Sequence, residues 1–158
     1  MAGAVACAVV LAGCGGPGPV RVAGAAMAGS ARSQCADLLA ALPDRVVGQE
    51  RRDVIPADAA TSAWGDPAII LRCGVDRPPA LRRTSFCLVV NGVSWLATQG
   101  GKPVEMTAPV DGPLVFTTIG RSVFVEVRVP ADERPQADAL VDVAAAVTAS
   151  TDDLHPCQ

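Results

Sequence analysis

The sequence predicts an α+β protein: one small domain with a mainly antiparallel sheet, an N-terminal and a C-terminal helix, and two disulfides. Three observations lead to this prediction. Apolar residues recur at helical spacing near both ends of the chain, strand-like segments fill the middle, and four cysteines follow residue 34. The 158 residues are enough for a single domain with its own hydrophobic core. Helices before and after a run of strands favour packing on one face of the sheet.

Two segments have the three- and four-residue apolar spacing of an amphipathic helix. In the first, the apolar stripe consists of Cys35, Leu38, Leu39 and Leu42. Ser33 is a favourable N-cap for this helix, and Pro43 is a favourable stop. In the second, which covers residues 135–149, the stripe consists of Leu140, Val143, Ala144 and Val147. We therefore expect one helix near each end of the domain.

The middle of the chain is predicted to form strands joined by tight turns. Asn91-Gly92 is a strong signal for a two-residue hairpin turn between residues 86–90 and 93–97. Residues 123–129 alternate valine with Phe, Glu and Arg, which is the period of a half-buried strand. Further strands are expected at residues 68–73 and 114–119.

The N terminus is predicted to be a bacterial export signal. Residues 2–13 carry no charge and are apolar, a length typical of the hydrophobic region of a signal peptide. They are too short to span a bilayer, which takes roughly 20 residues. Leu11-Ala12-Gly13-Cys14 resembles the lipobox of bacterial lipoproteins, in which the cysteine receives a diacylglyceryl group and the peptide is cut before it.

This interpretation divides the chain into three parts. Residues 1–13 form a lipoprotein signal peptide, residues 14–33 form a flexible tether rich in Gly, Ala and Pro, and residues 34–158 form the domain. Residues 1–13 lack the Lys or Arg that usually opens a signal peptide. Two alternatives stay open: cleavage at Ala26-Met27-Ala28, which gives a freely secreted protein, or a buried helix in a cytosolic protein.

The cysteine count supports export. Removal of Cys7 and lipidation of Cys14 leave four cysteines, an even number that predicts two disulfides in an oxidising compartment. Cys73 ends one predicted strand and Cys87 begins the next, and the remaining two cysteines lie near the ends of the domain. We therefore expect the pairs Cys73–Cys87 and Cys35–Cys157.

Composition and motifs exclude several function classes. A net charge of −3 and a pI near 5.0 argue against binding to nucleic acid. Arg51-Arg52 and Arg82-Arg83 are interpreted as solvated surface pairs. His155 lies near the chain end, and no metal or cofactor motif occurs, so we expect no cofactor, no metal and no catalytic residue.

Five residues are candidates for a binding surface. Trp and Arg are frequent binding hot spots, and turns held by a scaffold often carry contacts. The candidates are Trp64, Asp66, Arg72, Trp95 and Arg121. The competing interpretation places both rings in the core, Asp66 in a turn cap and both arginines in ion pairs.

Four ordered segments support a resemblance to a known family. They are CADLLAALP, WGDPAIILRCG, CLVVNGVSWL and VFTTIGRSVFVEVRVP. Together they resemble an actinobacterial family of secreted proteins and lipoproteins known as domain of unknown function thirty-five fifteen, over roughly Cys35 to Cys157. The resemblance implies an exported domain with paired cysteines and implies no activity.

The sequence as a whole predicts a noncatalytic lipoprotein of the cell envelope. It would bind or assemble with an envelope protein or a glycan at the outer face of the cytoplasmic membrane, held there by its lipid anchor. The alternative is a small cell-wall hydrolase that uses carboxylates.

Overall fold

The computed structural model describes residues 16–23, 29–155 and 157. The predicted signal peptide, residues 1–13, and Cys14 lie outside this part of the chain. Two helices, α1 (Gly29–Ala41) and α2 (Asp138–Ser150), stand near the two ends of the domain. The strands are β1 (Val20–Arg21), β2 (Arg45–Val46), β3 (Gln49–Arg52), β4 (Val54–Ile55), β5 (Thr61–Trp64), β6 (Ile69–Cys73), β7 (Leu88–Val90), β8 (Val93–Gln99), β9 (Lys102–Pro103), β10 (Leu114–Thr118) and β11 (Val125–Val129).

Nine of these strands form one antiparallel sheet. Their order is β2-β3-β5-β6-β11-β10-β8-β7, with β9 paired to β8 beside this path. Strands β1 and β4 form a separate parallel pair. The predicted hairpin is confirmed: Val90 pairs with Val93, and Asn91 and Gly92 have φ angles of 46° and 79°. These positive values are what a tight two-residue turn requires. The prediction of a mainly antiparallel α+β domain is confirmed.

Both helices pack on the same face of the sheet, which we call the helix-covered face. Residues Leu38 of α1 and Leu140 of α2 belong to one buried cluster with Phe116 of β10. In β11 the valines are buried while Glu126 and Arg128 point away from this cluster, as the period of two predicts. The opposite face, which carries Arg72, Glu126 and Thr117, is called the outer face.

The disulfide pairing differs from the sequence prediction. The bonds are Cys35–Cys73, with a sequence separation of 38, and Cys87–Cys157, with a separation of 70. The prediction of Cys73–Cys87 and Cys35–Cys157 was therefore wrong. It assumed that β6 and β7 pair because they follow each other in the chain, whereas β11, β10 and β8 lie between them in the sheet. The presence of two disulfides is confirmed.

Two described parts of the predicted tether, residues 20–21 and 29–33, form a strand and the start of a helix. Helix α1 begins at Gly29, and Ser33 lies inside it, where its hydroxyl donates to the carbonyl of Ser30 at 3.0 Å. Ser33 is therefore not the N-cap. Strand β1 pairs with β4, and the amide of Val20 donates to the carbonyl of Asp53 at 2.8 Å. Residues from the predicted tether thus contribute a helical turn and a strand.

Candidate functional site

The two tryptophans proposed as contact residues lie in the core. Trp64 and Trp95 are both 0% exposed, so neither ring can meet a partner, and this part of the binding prediction is corrected. Both project from interior strands toward the helix-covered face. The indole nitrogen of Trp64 donates to the carbonyl of Pro43 at 3.1 Å, and the Arg51 guanidinium lies 5.7 Å from its ring centre. These contacts fix Trp64 as a structural residue.

Arg121 is also a structural residue rather than an exposed hairpin tip. It is 8% exposed, and its guanidinium donates to the carbonyls of Thr151 at 3.1 Å and Gly92 at 3.3 Å. Asp153 lies 4.0 Å from the same guanidinium. The prediction missed this role because these partners lie 29 to 32 positions away in the chain. Arg121 thus joins the loop between β10 and β11 to the chain end and to the β7–β8 turn.

The remaining two candidates lie in separate places. Asp66 is exposed and pairs with Arg52 at 3.5 Å. Arg72 is half-buried on the outer face and pairs with Glu126 at 3.5 Å. The structure therefore does not bring the five predicted residues together into one binding surface. Arg72, Arg121 and Asp66 line three different cavities.

The chain end forms a segment that we call the C-terminal strap, residues 151–155 and Cys157. It lies against the β10–β11 loop, where the carbonyl of Gly120 accepts hydrogen bonds from the amides of Leu154 at 2.8 Å and His155 at 3.1 Å. Gly120 has a φ of 72°, and a Cβ there would lie 1.9 Å from the carbonyl oxygen of His155. Glycine is required at this position both by its backbone conformation and by this close approach.

A second segment, residues 77–87, faces the strap and is called the arginine loop. Leu81 is 7% exposed, and its amide donates to the carbonyl of Pro78 at 3.0 Å. Arg82 and Ser85 hold a turn in which the amide of Arg82 donates to the Ser85 hydroxyl at 2.8 Å and the Arg82 carbonyl accepts from the Ser85 amide at 3.1 Å. The Arg82 guanidinium also donates to the carbonyl of Pro79. The loop is thus fixed by its own contacts.

The arginine loop and the strap enclose a cavity of about 860 Å³, which we call the arginine groove. The disulfide Cys87–Cys157 joins its two walls. The basic residues that line it are Arg77, Arg82, Arg83, Arg121 and His155. The large apolar residues that line it are Leu81, Ile119, Phe124 and Leu154.

The groove is strongly biased in charge. It holds four of the chain's 13 Lys and Arg residues and, among the described residues that line it, none of the 16 Asp and Glu residues. This bias is opposite in sign to the whole chain, whose net charge is −3. Sequence reasoning treated Arg82-Arg83 as a solvated pair. The nearby Arg77 was the one sign in the sequence that the arginine loop concentrates positive charge. The opposite wall, from residues 119–124 and the strap, is distant in the chain and is brought there by the fold.

A second cavity of about 750 Å³ lies on the outer face. It is lined by Arg72, Asp76, Thr117 and Glu126, and Arg77 borders both cavities. Two carboxylates therefore share one concavity, with the Glu126 carboxylate paired to Arg72. Among the described residues, no group of three or more His, Cys, Asp and Glu is placed to hold a metal ion.

The described part of the chain contains no helix long and apolar enough to cross a membrane. A family model described as Protein of unknown function (DUF3515) matches residues 1–154. The chain belongs to this family. No curated protein and no solved structure matches this chain. The match confirms the resemblance to this family of unknown function.

Proposed function

We propose that this DUF3515 protein is a noncatalytic binding protein of the cell envelope, lipid-anchored through Cys14 at the outer face of the cytoplasmic membrane. The observation that carries the proposal is the arginine groove, whose two walls are joined by a disulfide. Disulfides indicate an extracytoplasmic environment, where they form and persist. The four cysteines after Cys14 bond to one another, so none of them is left to pair with it.

The arginines of the groove support binding rather than catalysis. Guanidinium groups stay protonated in proteins, so they donate hydrogen bonds but do not exchange protons as an acid or base must. The side chains of Arg121 and Arg82 are also engaged with backbone carbonyls, which fixes the walls in place. A fixed, cationic concavity suits recognition of an anionic group.

The position of β1 supports a location close to the membrane. Cys14 is six residues from Val20, which already pairs with β4 on the domain. Six residues reach about 20 Å when fully extended. A lipid on Cys14 would therefore hold the domain within about that distance of the bilayer surface, a shorter reach than a flexible tether of residues 14–33 would have.

Labelling with an alkyne fatty acid in a bacterial host tests the anchor. The wild type and Cys7→Ala should both be labelled and recovered with the membrane, because Cys7 lies in the predicted signal peptide. Cys14→Ala should be unlabelled. Equal labelling of Cys14→Ala would contradict lipidation at this cysteine, and recovery of unlabelled wild-type protein from the medium would support a freely secreted protein.

A second candidate function rests on the cavity of the outer face. Asp76 and Glu126 line it together, and a hydrolase that acts through two carboxylates needs both of them in one cavity. Under this alternative, purified protein should release fragments from cell-wall glycans, and Glu126→Gln should abolish the release. The proposed binding function predicts no release by either protein.

A further inference from the structure

We propose that the arginine groove binds a phosphate-bearing ligand, with the phosphate held by Arg77, Arg82 and Arg83. This inference deepens the proposed binding function and is independent of the lipid anchor. A phosphate accepts several hydrogen bonds at once, and guanidinium groups match its geometry through paired N–H donors. A free phosphate compound and an anionic lipid headgroup both carry such a phosphate.

The four arginines of the groove have different tasks. Arg121 is buried and holds the walls together through the carbonyls of Thr151 and Gly92. Arg82 uses one terminal nitrogen on the carbonyls of Pro79 and Leu81, which leaves its other nitrogens for a ligand. Because these carbonyls hold its guanidinium in place, Arg82 can donate hydrogen bonds to a phosphate between Arg77 and Arg83.

Arg77 and Arg83 make no hydrogen bond or ion pair with the described residues, although each lines the groove. Both are exposed, and an acidic partner is missing from the described lining of the groove. Asp76 adjoins Arg77 in the chain but lines the cavity of the outer face, and Asp153 lies beside Arg121. The uncompensated cations are therefore on the arginine loop, where an anion would neutralise them.

Three neighbouring guanidinium groups favour a phosphate over a carboxylate. A single carboxylate fills one guanidinium, whereas the oxygens of a phosphate or a pyrophosphate can accept from two or three. The apolar wall formed by Phe124 and Leu154 adds a second requirement, since Leu154 is 56% exposed beside the groove. A phosphate joined to an apolar or sugar moiety would contact both kinds of wall.

Isothermal titration calorimetry of the full, purified chain in a neutral detergent tests the proposal. The probes are sodium pyrophosphate, dihexanoyl phosphatidylglycerol and dihexanoyl phosphatidylcholine. The two lipids have the same acyl chains but differ in net headgroup charge. The detergent makes the readout independent of any lipid on Cys14, so failure of the anchor and failure of the groove give separate results.

The test variant is Arg77→Gln/Arg83→Gln, and the matched control is Lys102→Gln/Arg128→Gln. Each pair removes two exposed positive charges, but Lys102 and Arg128 lie outside the groove. The test variant should bind pyrophosphate or phosphatidylglycerol at least tenfold more weakly than the wild type, while the control should bind within twofold of it. If the double variant does not fold, Arg83→Gln alone should show the same direction of change.

The probe that binds identifies the source of the phosphate. Binding of pyrophosphate supports a free phosphate compound, and binding of phosphatidylglycerol without pyrophosphate supports a lipid headgroup. Absence of binding to both would overturn the proposal. It is also overturned if phosphatidylcholine binds as tightly as phosphatidylglycerol, or if the control variant weakens binding as much as the test variant does.

Discussion

The two faces of the sheet are built from the same strands but are covered by different parts of the chain. On β6, Leu71 is 0% exposed beneath the helices, while the next residue, Arg72, is on the outer face and pairs with Glu126 of β11. The helices cover the first face, where Trp64, Trp95 and Phe116 of the strands are buried. The arginine loop borders two cavities, one of about 750 Å³ on the outer face and one of about 860 Å³ that it forms with the C-terminal strap.

Under the proposed function, this difference separates stability from ligand binding within one small domain. A continuous apolar core makes the helix-covered face the source of folding free energy. The loop and the strap are held by backbone hydrogen bonds and a disulfide, and the side chains of Arg77, Arg83 and Leu154 remain exposed. Substitutions on the helix-covered face should therefore change the free energy of unfolding, and substitutions in the arginine loop should change binding.

The largest effect is expected from Trp64→Ala. Removal of this fully buried ring also deletes its hydrogen bond to Pro43 and its contact with Arg51. Loss of a buried aromatic side chain costs about 3–5 kcal/mol, and we expect the upper end. Chemical denaturation measures it. The control is Val89→Ala, at a residue that is 57% exposed on an edge strand, and its cost should stay within about 0.5 kcal/mol. Similar costs for both variants would contradict the assignment of Trp64 to the core.

The next effect in size is expected from Cys35→Ala/Cys73→Ala. This bond ties α1 to β6 across a separation of 38 residues, for which the loop-entropy model predicts about 4 kcal/mol. The matched variant Cys87→Ala/Cys157→Ala removes a bond with a separation of 70, so it should cost a similar free energy. Hydrogen exchange distinguishes them: loss of Cys87–Cys157 should raise exchange in the strap, at the amides of Leu154 and His155, more than in α1. Faster exchange in α1 than in the strap would contradict the placement of this bond.

A smaller effect is expected from Gly120→Ala. A non-glycine residue in the left-handed region costs about 1–2 kcal/mol, and here the added Cβ must also displace the carbonyl of His155. Gly48→Ala is the control, because Gly48 has a φ of 75° but no atom within 4 Å of an added Cβ. Thermal unfolding should show a larger loss of stability for Gly120→Ala. Equal losses would show that the strap does not lie against Gly120.

Local sequence patterns predicted the parts of the fold that local physics controls. The alternating valines of β11 and the Asn91-Gly92 turn follow from side-chain period and backbone preference, and both are confirmed. The start of α1 was misplaced because Ser33 resembles an N-cap in the sequence but bonds to Ser30 within the helix. Patterns of this kind locate an element better than they locate its ends.

The candidate site was not predictable in the same way, because it depends on contacts between distant segments. Arg82 and Arg83 line one cavity with residues 119–121 and the strap. The strap is held there by hydrogen bonds from the amides of Leu154 and His155 to the carbonyl of Gly120. The pairing of Cys87 with Cys157 likewise depends on sheet order, which places three strands between β6 and β7. The sequence identified Trp64 as a large ring in a predicted turn, whereas its burial follows from the position of β5 inside the sheet.

The central claim is that a disulfide between distant segments, Cys87–Cys157, joins the two walls of the arginine groove. Peptide mapping of the protein under nonreducing conditions tests it most directly. We expect cross-linked peptides that contain Cys35 with Cys73 and Cys87 with Cys157. A peptide pair that joins Cys73 to Cys87 would leave the strap unattached to the arginine loop and would contradict the account.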